Sequence, residues 1–562
     1  MSEPINFGVI GCGVIGPWHT GAIDAVADAR LVAVCDIVED KAKALAEKHG
    51  VEYRRGYHEL LARITRFMAV ALVALGLAAQ VRAATAPAGG APPAGGAPPA
   101  GAADLPERTR AGVMAMDETD YYKSPDSSTL GWGESYVLTA YCWMYEATGD
   151  TAWLDRIVRR ADVMFANLSP GDEPYPGWRT PRYSVALVET AADSGNGSQA
   201  AHRSQATIHA DPARIYDYES GSKVTGHEYE LRVTSGRTVE ITDTTNSERI
   251  AALELPEDGH ITQIPGAVVV IEGKPQPGDR FAVKTKALKP LEYVVHDGMI
   301  LTPIAKLCAA VVGDRSLEAA YGAAARRYLQ IMETQLLPKW ERYWRDLPDG
   351  GGLYIAQDDP AQRFPGASLP HNQYLALGRT HIALYRATGK ATYREHAEKM
   401  ARFFKRNLRL VGGRYGWNYW DYAGPWDGAD ARRMEHVEDT SHGHIDVGFA
   451  VDAYDAGIVF DRQDMERFAG TVSDVMWNGS EDEPRLGGRV DTAEGDATVA
   501  LDWVRLGRFS PRTRRIMMGL LESVDDLGGT NGAAGAQALT LERIGWSASP
   551  RHIAPTTEAQ HR

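Results

Sequence analysis

The alternation of apolar and polar positions divides the 562-residue chain into stretches of different kinds. "INFGVIG" and "LVAVCD" are short apolar runs with a helically spaced stretch between them, which predicts strand, helix, strand. In "RITRFMAVALVALGLAAQVRAATA", residues 63–86, Arg63 and Arg66 precede an apolar run from Phe67 to Ala79. Val81-Arg82-Ala83 then offers small residues at a signal-peptidase spacing. The run falls short of the roughly 20 apolar residues a membrane crossing needs. "PAGGAPPAGGAPPAGAA", residues 87–103, has no means of building a core and reads as a linker.

From Leu130 the spacing becomes helical. "GESYVLTAYCWMYEATGDTAWLDRIVRRADVMFANL" predicts two helices joined at Thr148-Gly149-Asp150. The design recurs in "RTHIALYRATGKATYREHAEKMARFFKRNL". Tyr145, Ala147, Thr148, Gly149, Ala161, Asn167 and Leu168 reappear as Tyr385, Ala387, Thr388, Gly389, Ala401, Asn407 and Leu408. Looser copies surround Val312-Gly313-Asp314 and fill "VGFAVDAYDAGIVFDRQDMERFAGTV". Recurring helical hairpins predict stacked helix pairs, closed into an (α/α) toroid or left as an open solenoid.

Residues 205–290 switch to alternating strands such as "YELRVTS" and "VVVIEG", with turns at Asp258-Gly259, Pro265-Gly266 and Pro277-Gly278-Asp279. They predict a small β-sandwich or barrel-like insertion, whose role is packing against the helical body or carbohydrate binding. After Leu506 the pattern fades.

The expected fold is therefore mainly α: an (α/α) toroid of helical hairpins with a β-rich insertion, preceded by a partial Rossmann α/β segment. The boundaries are 1–61 for the Rossmann-like segment, 62–86 for the signal-like segment and 87–109 for the linker. The toroid takes 110–204 and 291–506 around the 205–290 insertion, and 507–562 is a C-terminal extension.

The net charge of -14 argues against nucleic acid as a partner, and an anionic substrate needs a locally basic cleft. Cys12, Cys35, Cys142 and Cys308 show neither zinc spacing nor a disulfide framework. No stable membrane insertion is expected. The product is periplasmic or secreted if the internal signal is used, and cytoplasmic otherwise.

Gly11-x-Gly13-x-x-Gly16 after the first strand, with Asp36 closing the second, is the layout of a dinucleotide site. With "GCGVIGPWHTGAI", "VAVCD" and "KAKALAEKHGV", this segment resembles the N-terminus of the Gfo/Idh/MocA oxidoreductases, up to about Leu61. The resemblance implies NAD(P) at Gly11, Gly13, Gly16 and Asp36 only if the segment is functional. That family's later Glu-Lys-Pro motif and catalytic lysine and histidine have no counterpart, so the segment reads as vestigial, joined ahead of a second protein's export signal.

Three polar, aromatic stretches lie between helices. "FPGASLPHNQYLALGRTHIAL" holds His371 and Asn372 at a helix start. "RLVGGRYGWNYWDYAGPWDG" holds Arg414, Tyr415, Trp417, Asn418, Tyr419 and Trp420. "RRMEHVEDTSHGHIDVGFA" holds Arg432, His436, Glu438, Asp439, His442, His444 and Asp446. The aromatic loop suits sugar rings, which stack C–H faces on indole and phenol. Histidines with Glu438 or Asp446 are acceptable metal ligands, but no regular helical ligand spacing is present, and no metal is expected. Glu438 and Asp439 are neighbours, so a glycosidase pair would need a partner such as Asp421 or Asp358.

Asn, His and Tyr together suit β-elimination of a uronate polymer. The amide and imidazole neutralise the carboxylate, and a tyrosine or histidine moves the protons. "LPHNQYLALG", "RYGWNYWDY" and "EHVEDTSHGHIDV" resemble the (α/α)-toroid polysaccharide lyases, nearest to polysaccharide lyase family 38, over residues 110–506. The resemblance implies an alginate or glucuronan type of anionic polysaccharide and no required cofactor. It implies Asn372 as neutraliser with His371 beside it, His436 or His442 as the site histidine, and Tyr415 or Tyr419 as the acid/base tyrosine. Arg414, Trp417, Asn418, Trp420, Arg432, Glu438 and His444 complete the expected binding set. The alternatives are a glycoside hydrolase on the same toroid, a noncatalytic glycan-binding protein, and an NAD(P)-dependent oxidoreductase.

Overall fold

The computed structural model describes residues 5–10, 20, 23, 29–35, 39–54, 104–170, 174–185, 187–193, 206–210, 224–286, 288–427, 436–525 and 527–548. It is about half helical with several small sheets. The chain forms two compact units, Met1–Ala100 and Gly101–Arg562. The signal-like run, the repetitive linker, Gly11, Gly13, Gly16, Asp36 and Arg432 lie outside the described residues.

In the first unit, β1 (Ile5–Ile10), β2 (Ala29–Cys35) and β3 (Glu52–Arg54) form a parallel sheet in the order β1-β2-β3, with α1 (Glu39–His49) against it. Its core is small: Val9, Leu31, Val34, Ala42, Leu45 and Ala46. Ile10 is in register with Cys35, so both strands end at the same sheet edge, where Gly11 and Asp36 follow.

The second unit is built from helix pairs. After α2 (Leu105–Ala115) come α3 (Ser135–Thr148) with α4 (Ala152–Ala166), and α5 (Val294–Gly313) with α6 (Glu318–Ile331). Then come α7 (His371–Thr388) with α8 (Ala391–Asn407), α9 (Thr440–Asp455) with α10 (Arg462–Thr471), and α11 (Pro511–Ser523) with α12 (Gly529–Ile544). One helix of each pair is buried around most of its circumference. α5 is buried at every position from Val294 to Ala309, and α7 and α9 come close to that. The partner carries one apolar stripe at helical spacing, such as Ala397, Met400, Ala401 and Phe404 on α8. α5 is long and apolar enough to cross a membrane, but it is buried in the protein's own core.

The sequence repeat has a physical cause. Gly149 and Gly389 both end their helices in the left-handed region, φ 71°, and each N–H donates to the carbonyl of Tyr145 or Tyr385 at 2.7 Å. Thr148 and Thr388 each return a hydroxyl bond one turn back, also at 2.7 Å. Gly149→Ala and Gly389→Ala are each expected to cost about 1 kcal/mol, since a Cβ is strained in that conformation. Urea denaturation of each variant checks this.

The fully buried helices touch in sequence. α3 packs on α5, α5 on α7 and α7 on α9. α9 meets the short 3₁₀ helix Trp503–Arg508, that helix meets α12, and α12 packs on α3. The fading pattern after Leu506 thus hides two helices rather than a loose extension. α12, "GTNGAAGAQALTLERI", packs by small residues, so it lacks the large apolar side chains that mark a core helix.

The strand-rich region begins before residue 205. β4 (Val188–Asp193) joins β11 (Arg280–Thr285), β6 (Glu228–Ser235), β7 (Thr238–Asp243) and β8 (Glu248–Glu254) in the order β4-β11-β6-β7-β8. β5 (Thr207–Ala210), β10 (Val269–Glu272) and β9 (His260–Ile261) form a second sheet. The two sheets share a core of Tyr229, Leu231, Val239, Ile241, Val269 and Phe281. Alternate burial along β6, β7 and β11 is the period of a half-covered strand. Two short hairpins follow: β12 (Trp344–Asp346) with β13 (Gly352–Tyr354), and β14 (Arg409–Val411) with β15 (Arg414–Gly416).

Candidate active site

A cavity of about 630 Å³ opens where α5, α7 and α9 begin. His296 lies in the first turn of α5, Asn372 and Gln373 in that of α7, and Ser441 and His442 in that of α9. The first turn of a helix carries the positive end of its dipole, which favours an anionic ligand at α5 and α7, whereas the α9 end is already capped by Asp439. Tyr419 and Trp420, from the loop after β15, line the same cavity.

Asn372 is buried, and its Oδ1 has no hydrogen-bond partner. His442 sits where it does because Asp439 caps α9, accepting from the N–H groups of Ser441 and His442 at 2.8 Å each. The other Asp439 oxygen lies 2.6 Å from His442 Nδ1. Burial disfavours charge on this imidazole, but the Asp439 hydrogen bond and charge outweigh it and raise its pKa. Burial acts on Asp439 in the opposite sense and is likewise outweighed by His442, so that carboxyl is lowered. The Tyr419 ring lies 5.3 Å from the His442 ring. Its phenol is raised by burial and then by the charge of Glu438, so it keeps its proton.

Behind this group Glu438 and Asp446 are both fully buried. Burial and the neighbouring Asp446 push Glu438 well above the carboxylate range. Burial raises Asp446 to about 6, and Trp417 Nε1 donates to it at 2.9 Å. Glu438, Asp439 and His442 place ligand atoms within 4.8 Å of one another. Both Asp439 oxygens and His442 Nδ1 are engaged in the cap and the Asp439–His442 pair, and Glu438 Oε1 accepts from Asp439 N at 2.9 Å, while Glu438 Oε2 is buried without a partner.

The other expected residues lie elsewhere. His371 is buried beside Asn372 but faces away from the cavity lining, with Nδ1 2.6 Å from Tyr374 Oη and Nε2 2.9 Å from Asp421. Tyr415 donates to Asp464 at 2.6 Å, also outside the cavity. His436 has an exposed side chain; its carbonyl accepts from Tyr419 N at 2.7 Å. Arg414 pairs with Asp474 at 2.7 Å, and Asn418 bridges Arg409 and Asp421. Trp417 and Glu438 are core groups, and His444 is buried 3.6 Å from Asp502. Trp420 keeps its place in the cavity, edge-on to Phe364 at 5.0 Å.

Sequence reasoning missed Arg182, Tyr183, Tyr293, His296 and Arg363, which all line the cavity. Arg182 and Arg363, rather than Arg414, bring cationic charge to it. Arg182 follows Arg179 by three residues, Arg363 stands singly in its stretch, and His296 lies in the apolar run "VVHDGMILTP", where the polar pair His296-Asp297 is the only signal.

The model of the oxidoreductase family with an NAD-binding Rossmann fold matches residues 5–77. The match suggests an enzyme, and it runs past Leu61 into the apolar run. The order β1-β2-β3 and the shared edge at which Gly11 and Asp36 follow fit the first part of such a fold. No curated protein matches the chain. Among solved structures, two crystal forms of FlgL from Xanthomonas campestris align at 11% identity and TM-score 0.14. They cover 36% and 53% of this chain and 75% and 94% of theirs. The flagellar junction protein FlgL from Legionella pneumophila aligns at 11% identity and TM-score 0.14, over 35% of this chain and 74% of its own. Scores this low carry no statement about fold.

Proposed function

We propose that the second unit is a polysaccharide lyase that cleaves a uronic-acid polymer, of alginate or glucuronan type, by β-elimination. The observation that carries the reading is that Asn372, Tyr419 and His442 line one cavity. Removing the proton at C5 builds charge on the adjacent carboxylate. Asn372 and the charged His442 stabilise that charge, and Arg182 and Arg363 attract the polyanion despite the net charge of -14. Tyr419 protonates the departing glycosidic oxygen. Aromatic walls from Trp132, Tyr183, Tyr293 and Trp420 suit sugar rings. The circuit of contacts from α3 through α5, α7, α9, the short 3₁₀ helix and α12 back to α3 supports closure of the helix pairs into an (α/α) toroid.

The test is incubation with alginate, glucuronan and hyaluronan while following the ultraviolet absorbance of a new C4=C5 double bond. Turnover without that absorbance, releasing reducing ends only, favours a glycoside hydrolase instead.

The pH dependence has a defined sign. His442 acts in its charged form, so kcat/KM falls as pH rises through its raised pKa. Asp439→Asn removes the charge that raises it, and the alkaline limb is expected to move to lower pH. A pH profile of both proteins checks this.

A second reading belongs to the first unit: nicotinamide dinucleotide binding at Gly11, Gly13, Gly16 and Asp36, which the family match and the β1–β2 edge favour. These residues would supply backbone N–H groups to a pyrophosphate and a carboxylate to a ribose. NADH fluorescence on titration with the protein tests it. An export signal ahead of the second unit would make the enzyme periplasmic or secreted.

A further inference from the structure

Within the lyase reading, on which this inference rests, β-elimination needs one group to take the C5 proton and another to protonate the leaving oxygen. Tyr419, whose phenol holds its proton, fits the second task. His442 Nδ1 is held by Asp439 at 2.6 Å, and Glu292 is paired with Lys339 at 2.7 Å and with Arg179 at 2.5 Å. Among the described residues lining the cavity, the imidazole not held by a carboxylate is His296.

We propose that His296 is the general base of this site, its Nε2 taking the C5 proton of the bound uronate. The ring is held from its far side: Nδ1 lies 2.9 Å from Ser127 Oγ. When Nδ1–H donates to that oxygen, the lone pair is on Nε2. Ser127 opens a short helix capped by Asp126, which fixes its place. Nε2 is buried without a hydrogen-bond partner, which costs stability unless a ligand uses it. Tyr293, Tyr183 and Trp132 set rings 5.2, 5.5 and 5.6 Å from the imidazole. The backbone makes room for it: a Cβ on Gly131 would lie 3.1 Å from His296 Cδ2. Burial also pulls this imidazole down to about 3, with Asp126 and Arg182 as opposing charges, so it is neutral while the cavity is empty and becomes more basic only when a bound carboxylate lies beside it.

The step balances without water or a co-reactant. The C5–H pair becomes the C4=C5 double bond as Nε2 takes the proton. The C4–O pair leaves with the glycosidic oxygen, which takes the Tyr419 proton. The imidazolium then loses its proton to solvent, and the phenolate regains one.

The test compares wild type with His296→Asn and Ser127→Ala on the uronan that wild type cleaves, with folding followed by circular dichroism. Asparagine keeps an atom near Ser127 but has nothing at Nε2. His296→Asn is expected to lose about 10²–10⁴-fold in kcat with KM kept, and to show a larger isotope effect with C5-deuterated substrate. Ser127→Ala removes one oxygen and is expected to lower kcat at unchanged KM. It serves where His296→Asn does not fold. Wild-type kcat in either folded variant overturns the proposal and leaves the lyase reading standing. A wild-type protein that forms no unsaturated product from any uronan overturns both.

Discussion

Tyr419→Phe is expected to lower kcat for uronan cleavage by about 10²–10⁴-fold while leaving KM nearly unchanged, the usual span for loss of a positioned proton donor. Only the hydroxyl is removed. The ring keeps its place 5.3 Å from the His442 ring, and the loop stays fixed by the backbone bond from Tyr419 N to the His436 carbonyl. The leaving sugar oxygen is a poor leaving group without a proton, and phenylalanine has none to give. Asn372→Ala is the companion. It removes the Nδ2–H groups that would donate to the uronate carboxylate, from a side chain at the cavity wall. If the two variants cleave uronan at wild-type rates, the cavity is not a lyase site. If both bind oligouronates normally and wild type turns nothing over, the protein binds glycans without cutting them. Initial rates and a binding titration by tryptophan fluorescence distinguish these outcomes.

The helical hairpins were legible because the repeat is a cap, and a glycine at a left-handed helix end is a strong local signal. The strands of the insertion were legible by their period of two. α12 was not, because its burial comes from alanines and glycines packed close rather than from large side chains. The reading placed residues at the cavity where a position follows from a helix start. Asn372 and His442 both lie in first turns, and the pattern Asp439-Thr440-Ser441-His442 is a capping sequence that singles out His442 over His436. It failed where neighbours on one stretch point to opposite sides. His371 and Asn372 are adjacent, yet one bonds Asp421 in the core and the other meets the cavity. Tyr415 belongs to β15, where alternation sends it toward Asp464 instead. The residues that α5 and the Arg182 loop supply come from segments remote in the chain, and a single sequence holds no record of that meeting.

Asp452→Ala is expected to cost about 3–5 kcal/mol of stability, the range for removing one partner of a buried ion pair. Asp452 is 1% exposed and joins three elements at once. Arg379 of α7 donates to it at 3.0 Å, Arg505 of the short 3₁₀ helix at 2.7 Å, and Lys306 of α5 lies 3.3 Å away. Asp502 shares two of these cations, with Arg379 at 2.8 Å and Arg505 at 3.2 Å. Alanine would leave two guanidiniums and an ammonium facing Asp502 and, at 3.6 Å from Arg505, Asp455, all in a buried site. Burial already pulls Lys306 down to about 8, so it can shed its proton and relieve part of the excess. The guanidiniums cannot, because they hold their charge at any working pH. Burial opposes charge on Asp452, but Arg505, Lys306 and Arg379 outweigh it and lower its pKa. A carboxyl lowered in the folded state contributes stability above its unfolded pKa and loses it as pH falls through the folded value. Wild type should therefore lose this contribution only in strong acid, while Asp452→Ala should lack it throughout the neutral range. Urea denaturation of both proteins near neutral pH and in acid measures the difference. A gap below about 1 kcal/mol at neutral pH would show that the helices are held by their apolar packing alone, with the charges contributing nothing net.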